Sequence, residues 1–133
     1  MNRNGLALLT NVVAAWLGAA ALVIGAMRAQ GEVALIRHHV EFAMPRVLIM
    51  HALFTLIFGG ASILGLVGAV ALWRRKNAGR LACVVFGAAL IIGVGPAAIL
   101  RGQALGITLL GVTLAAVLWL CSRSVARFCG ATR

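Results

Sequence analysis

Four uninterrupted apolar runs dominate this chain, and each is long enough, once coiled into a helix, to cross a lipid bilayer. They cover residues 5–27, 47–73, 81–100 and 102–121. A spanning helix needs about 20 mainly apolar residues at a rise of about 1.5 Å each, and all four runs qualify. Between them lie only short charged segments, so no stretch remains for a soluble domain. A chain of 133 residues with 63% hydrophobic side chains and a mean hydropathy of +1.08 cannot bury that much apolar surface in a water-soluble core. The bilayer is the solvent the sequence implies.

Period-two alternation is absent, and the runs are rich in Ala, Leu and Gly. This favours helices over the strands of a membrane barrel. The expected fold is therefore all-α, a polytopic bundle of four transmembrane helices forming one domain over residues 1–133. The basic start MNRN could open a secretory signal. The apolar run behind it is too long for one, however, and Met27 and Arg28 stand where a cleavage site would need small residues.

The charges set the orientation. Eight Lys and Arg residues fall on the side of the two termini and the second loop, and four fall on the side of the first and third loops. The positive-inside rule then predicts a multi-pass protein of a bacterial inner membrane with both termini cytoplasmic. The net charge of +10 does not imply nucleic acid, because the basic residues form short clusters at helix ends rather than one soluble face. The densest cluster, Arg74, Arg75, Lys76 and Arg80, suits anionic lipid headgroups. Trp73 and Trp119 fall near the same interface, where indole rings anchor. Cys83, Cys121 and Cys129 show no metal-type spacing, and no disulfide is expected on a cytoplasmic face.

Helices in lipid gain little from hydrophobic burial against each other, so close approach at small residues must supply contact. Each run offers such positions: Ala14, Gly18, Ala21 and Gly25 in the first; Ala61, Gly65 and Ala69 in the second; Ala89, Gly93 and Ala97 in the third; Gly102, Gly106, Gly111 and Ala115 in the fourth. Gly18, Gly65, Gly93 and Gly111 are the expected packing glycines. Pro96 should kink or unwind the end of the third helix.

All three histidines and one of the two acids lie in IRHHVEFAMPRVLIMH, Ile36 to His51. From Glu32 to Met44, Val33, Ile36, Val40 and Met44 share one side of a helical wheel opposite Arg37, His38 and Glu41. That pattern predicts a short amphipathic segment lying in the interface between the first two spans, ended by Pro45. His51 sits about one turn inside the second span, where an ionisable group is costly. It could join His38 and His39 around a metal such as copper or zinc, or serve as one axial ligand of a haem. It could also be structural, hydrogen-bonded to a neighbouring carbonyl or hydroxyl. Adjacent His38 and His39 point about 100° apart on a helix, which hinders chelation by that pair. The reading as a polar lid is favoured, with cofactor identity open.

The stretch ILGLVGAVALWRRKNAGRLACVVFGAALI, Ile63 to Ile92, resembles the central hairpin of small bacterial four-helix membrane proteins of uncharacterised function, and LWLCSRSVARFCG is similar in layout to their ends. The resemblance implies topology and transfers no site residue. No nucleophile and base constellation, phosphate-cradling loop or paired carboxylates occur, so an independent enzyme is not expected. The expected function is a non-catalytic accessory or scaffold subunit that packs against other membrane protein subunits or copies of itself. A small oligomeric transporter or channel using Asn11, Thr55, Ser62 and Thr113 is the alternative, and an electron-transfer subunit using His51 a second.

Overall fold

The computed structural model describes residues 2–39 and 45–130, and all regular structure among them is helical. Five helices follow in order: α1 (Arg3–His39), α2 (Pro45–Trp73), α3 (Asn77–Leu100), α4 (Ala104–Cys121) and the short α5 (Arg123–Phe128). The first four are long and apolar enough to cross a membrane, over Arg3–Ala34, Leu48–Trp73, Asn77–Leu100 and Ala104–Cys121. Sequential helices pack as antiparallel neighbours, α1 on α2, α2 on α3 and α3 on α4.

Two differences from the sequence reading concern the first span. Helix α1 does not stop near Met27; it runs on without a break to His39, so the segment from Glu32 to His39 continues α1. Nothing between Met27 and Glu32 breaks a helix, since Arg, Ala, Gln and a single Gly all tolerate one. Val40 to Met44, the rest of the expected amphipathic segment, lie outside the described residues. Pro45 then opens α2, a first-turn position where its missing N–H costs nothing.

The helix ends explain the tight reversals. At the end of α3, Gly102 takes a φ of +60°, and its N–H donates to the Ile99 carbonyl while that of Gln103 reaches Ala98. This is a Schellman ending, in which glycine supplies the left-handed residue. The end of α2 repeats it: Arg75 N–H donates to Leu72 and Lys76 N–H to Ala71. Here the left-handed position, φ +59°, is filled by Arg75, a residue for which that conformation carries strain. Helix α3 then continues through Pro96 to Leu100 rather than unwinding at the proline.

The densest packing lies toward the end of the bundle that carries the basic turn. Leu17, Leu72, Cys83, Phe86, Leu120, Val125 and Cys129 are buried there. Helix α5, begun by Ser122, whose hydroxyl accepts from the Val125 N–H, folds across this end and presses Val125 and Cys129 into the core. All three cysteines are free. Beyond Ala21 no described residue of α1 is buried, so the opposite half is looser.

Glycines set the helix separations, though not all those expected. A Cβ on Gly18 would meet the Ala69 Cβ at 3.3 Å, and one on Gly65 would meet Ala21 and the Phe86 ring at 2.9 Å. Gly93 and Gly111 are different: an added Cβ meets no atom within 4 Å. Both are exposed, lying about 120° from Gly87 around α3 and about 160° from Thr113 around α4. Spacing alone marks a possible contact face without saying what it faces. The internal contacts belong instead to Gly68, Gly79 and Gly87, where a Cβ would meet neighbours at 2.9, 2.2 and 2.4 Å.

Candidate functional site

The seam between α1 and α2 changes character along its length. Gly18 faces Ala69, Ala21 faces Gly65, and Gly25 faces Ser62. The alternating three and four residue steps in both helices carry the seam onward in the same register, the geometry of a left-handed helix pair. Its next pair brings Arg28 against Phe58 and Phe54, the guanidinium carbon 5.0 and 5.8 Å from their ring centroids. The pair after that brings Glu32 to Thr55 and His51. Small residues therefore clasp the middle of the two helices, and a polar cluster clasps the end.

Within the cluster Glu32 is the hub. Its Oε1 lies 2.8 Å from His51 Nδ1 and accepts a hydrogen bond from the Thr55 hydroxyl. Both Glu32 and His51 side chains are 29% exposed, half-buried rather than free in water. An ionised carboxylate only accepts, so against it His51 Nδ1 carries a proton and Nε2 is left for another partner. If the ring gains a second proton, the contact becomes an ion pair. Arg28 lies one turn away, and its Nε is buried without a hydrogen-bond partner among the described residues. Its charge rests on the two phenyl faces, which attract cations.

This arrangement corrects one expectation: the partner of His51 is a carboxylate rather than a carbonyl or hydroxyl. The signal was present in the sequence: the spacing 18, 21, 25 continues as 28 and 32 along α1. Reading the span as ended at Met27 hid it.

A carboxylate that orients an imidazole through Nδ1 is the kind of support metal-bound histidines receive. The remaining donors do not follow. Among the described residues no group of three His, Cys, Asp or Glu side chains lies close enough to hold a metal ion. His38 and His39 end α1, but their side chains, like the whole of Glu41, lie outside the described residues. No second histidine at the depth of His51 occurs on another described helix.

Of the polar residues named for a transport path, Thr113 bonds Trp16, while Thr55 and Ser62 lie on the α1–α2 seam. Thr10 donates to the Leu6 carbonyl, Thr108 to Ala104, and Thr113 to Leu109 while accepting from Trp16 Nε1 at 3.3 Å. Ser62 lies under Gly25, and Thr55 serves Glu32.

The basic cluster is also divided. Arg80 turns inward, donating to the Leu120 carbonyl at the end of α4 and to Asn77, where a cation suits the helix dipole. The Arg75 guanidinium lies 4.8 Å from the Phe128 ring centroid. Arg74 and Lys76 are exposed. Comparison with known proteins found no matching family model, no matching curated protein and no matching solved structure.

Proposed function

We propose that the chain is a non-catalytic integral membrane subunit, an accessory or scaffold protein that packs within a larger membrane complex or on copies of itself. The observation that carries this reading is the outward placement of Gly93 and Gly111. Gly95 packs beside Leu110 and Gly106 beside Ala98, a register that sets Gly93 and Gly111 at the same depth on adjacent helices. Each weakens its helix by up to about 1 kcal/mol relative to alanine and makes no internal contact in return. In lipid, small residues on an outer face let another helix approach closely. Exposed Ile92, Val94 and Val112 flank them. The location we propose is a bacterial inner membrane with both termini in the cytoplasm, supported by the loop charges.

The test is native mass spectrometry of the protein extracted from its own membrane, compared with Gly93→Leu and Gly111→Leu. Both substitutions enter open space and leave the bundle intact. The expected result is a wild-type assembly larger than one chain that loses partners in the variants. A wild-type monomer, or assemblies of unchanged mass, would refute the reading.

A small oligomeric transporter or channel is the second reading, favoured by the Glu32, His51 and Thr55 cluster at the edge of the apolar zone. In the same measurement it predicts a homo-oligomer free of other proteins.

A further inference from the structure

At the basic end of the bundle, three arginines from separate elements converge on one recess. It has a volume of about 510 Å³ and is lined by Arg3, Asn4, Leu6 and Ala7 from the start of α1, Arg75 from the α2–α3 turn, and Ser124, Arg127 and Phe128 from α5. All three arginines are exposed at its rim, and folding gathers them without a carboxylate among the described residues at this end. Of the chain's two acids, Glu32 is held by His51 at the opposite end, and Glu41 falls by sequence in the α1–α2 connection. The recess therefore offers an anion three like charges and no competing carboxylate among the described residues.

Three details give the recess the character of a receiving site. Arg75 occupies a left-handed position, φ +59°, where glycine would fit without strain, and its guanidinium is steadied on the Phe128 ring. Arginine is the residue whose planar fork matches phosphate oxygens. Asn4 and Ser124 add uncharged donors, while Leu6, Ala7 and Phe128 form an apolar wall at the level where the apolar runs of α1 and α4 end. That combination suits a phosphate attached to an apolar body.

We propose that this recess binds a phosphate-bearing anion, supplied by the headgroup of an anionic phospholipid or by a soluble phosphate compound. The site differs from the general attraction of the basic turn to a membrane, because Arg80 is committed inward and Arg3 and Arg127 come from outside that turn. It stands independently of the accessory-subunit reading.

The experiment compares the wild type with Arg3→Gln, Arg127→Gln and Arg75→Gly in a neutral detergent, with Arg123→Gln as a control of equal charge change outside the recess. Arg75→Gly also relieves the backbone strain, so it keeps the fold. Retention of phosphatidylglycerol is read by native mass spectrometry against phosphatidylcholine, and inorganic phosphate is titrated by calorimetry. The wild type and Arg123→Gln are expected to bind, with each recess variant weakened about tenfold or more, as loss of a charge-assisted contact implies. Phosphatidylglycerol retained in preference to phosphatidylcholine identifies the lipid source. Phosphate binding without lipid retention identifies the soluble one. Binding of neither probe, or equal losses in Arg123→Gln and the recess variants, would overturn the proposal.

Discussion

Gly79→Ala tests whether the α2–α3 reversal rests on direct backbone contact. A Cβ at this position would lie 2.2 Å from the Leu72 nitrogen and 2.5 Å from the Ala71 carbonyl carbon. These are main-chain atoms of the last turns of α2, and no rotamer change can move them. Restoring an ordinary contact near 3.4 Å requires the start of α3 to withdraw by about 1.2 Å. Neighbouring Arg80 bonds the Leu120 carbonyl at 3.0 Å and would be drawn off its acceptor. Forced overpacking costs about 1–3 kcal/mol, and contact with rigid backbone belongs at the upper end. Alanine returns up to about 1 kcal/mol through helix propensity. The net expectation is a loss of about 2 kcal/mol. The assay is unfolding in mixed micelles with increasing dodecyl sulfate, followed by fluorescence of Trp16 and Trp119, which pack against the core. Gly93→Ala serves as the opposite case, since its Cβ enters open space and should leave stability unchanged or raise it by up to about 1 kcal/mol. Equal stability of the two variants would refute the reasoning, as would a Gly79→Ala protein matching the wild type.

Glu32→Gln should weaken the α1–α2 seam, because His51 and Thr55 lose a charged acceptor; a cysteine pair placed across the seam at residues 29 and 58 should cross-link more slowly, and an unchanged rate would count against the cluster as a clasp. Among the cysteines, exposed Cys121 should react first with a maleimide, with buried Cys83 and Cys129 protected until the bundle opens. Burial pushes the Cys129 thiol up from its ordinary value of 9.0, an effect that nearby Arg80 and Arg75 partly oppose. The folded chain then holds that proton more tightly than the unfolded one. Its contribution to stability is constant below the ordinary thiol range and falls as pH rises through it. Cys129→Ala should make that alkaline slope shallower in the same unfolding assay.

The four spans were legible because hydropathy over 20 residues is a bulk signal that no single side chain can spoil. Gly18 and Gly65 were legible by the same local spacing that marked Gly93 and Gly111, where an added Cβ meets no atom within 4 Å. Small-residue spacing defines a face of a helix, while the choice of neighbour depends on how all four helices are arranged. The clasp at Glu32 was hidden by treating Arg28 and Glu32 as the end of the membrane zone, although their spacing continued the pattern of Gly18, Ala21 and Gly25. For Arg75 and Arg80, sequence gave the charge and the turn. It gave no sign that Arg80 would reach the last carbonyls of α4 or that Phe128 would fold back beneath Arg75. Those contacts depend on α5, whose six residues carry too little periodicity to announce a helix.

The unequal lengths of the helices bear on the membrane itself. Helix α4, with 18 residues, rises about 27 Å, barely the thickness of a hydrocarbon core, while α1, with 37 residues, rises about 55 Å. Lipids beside α4 must be compressed or the helix must stay upright, whereas α1 can tilt freely or project beyond the headgroups. A bilayer that thickens strains one side of the bundle and leaves the other at ease. Membrane thickness thus becomes a force on the junction of α1 with α4, which the Trp16 to Thr113 hydrogen bond helps to hold closed.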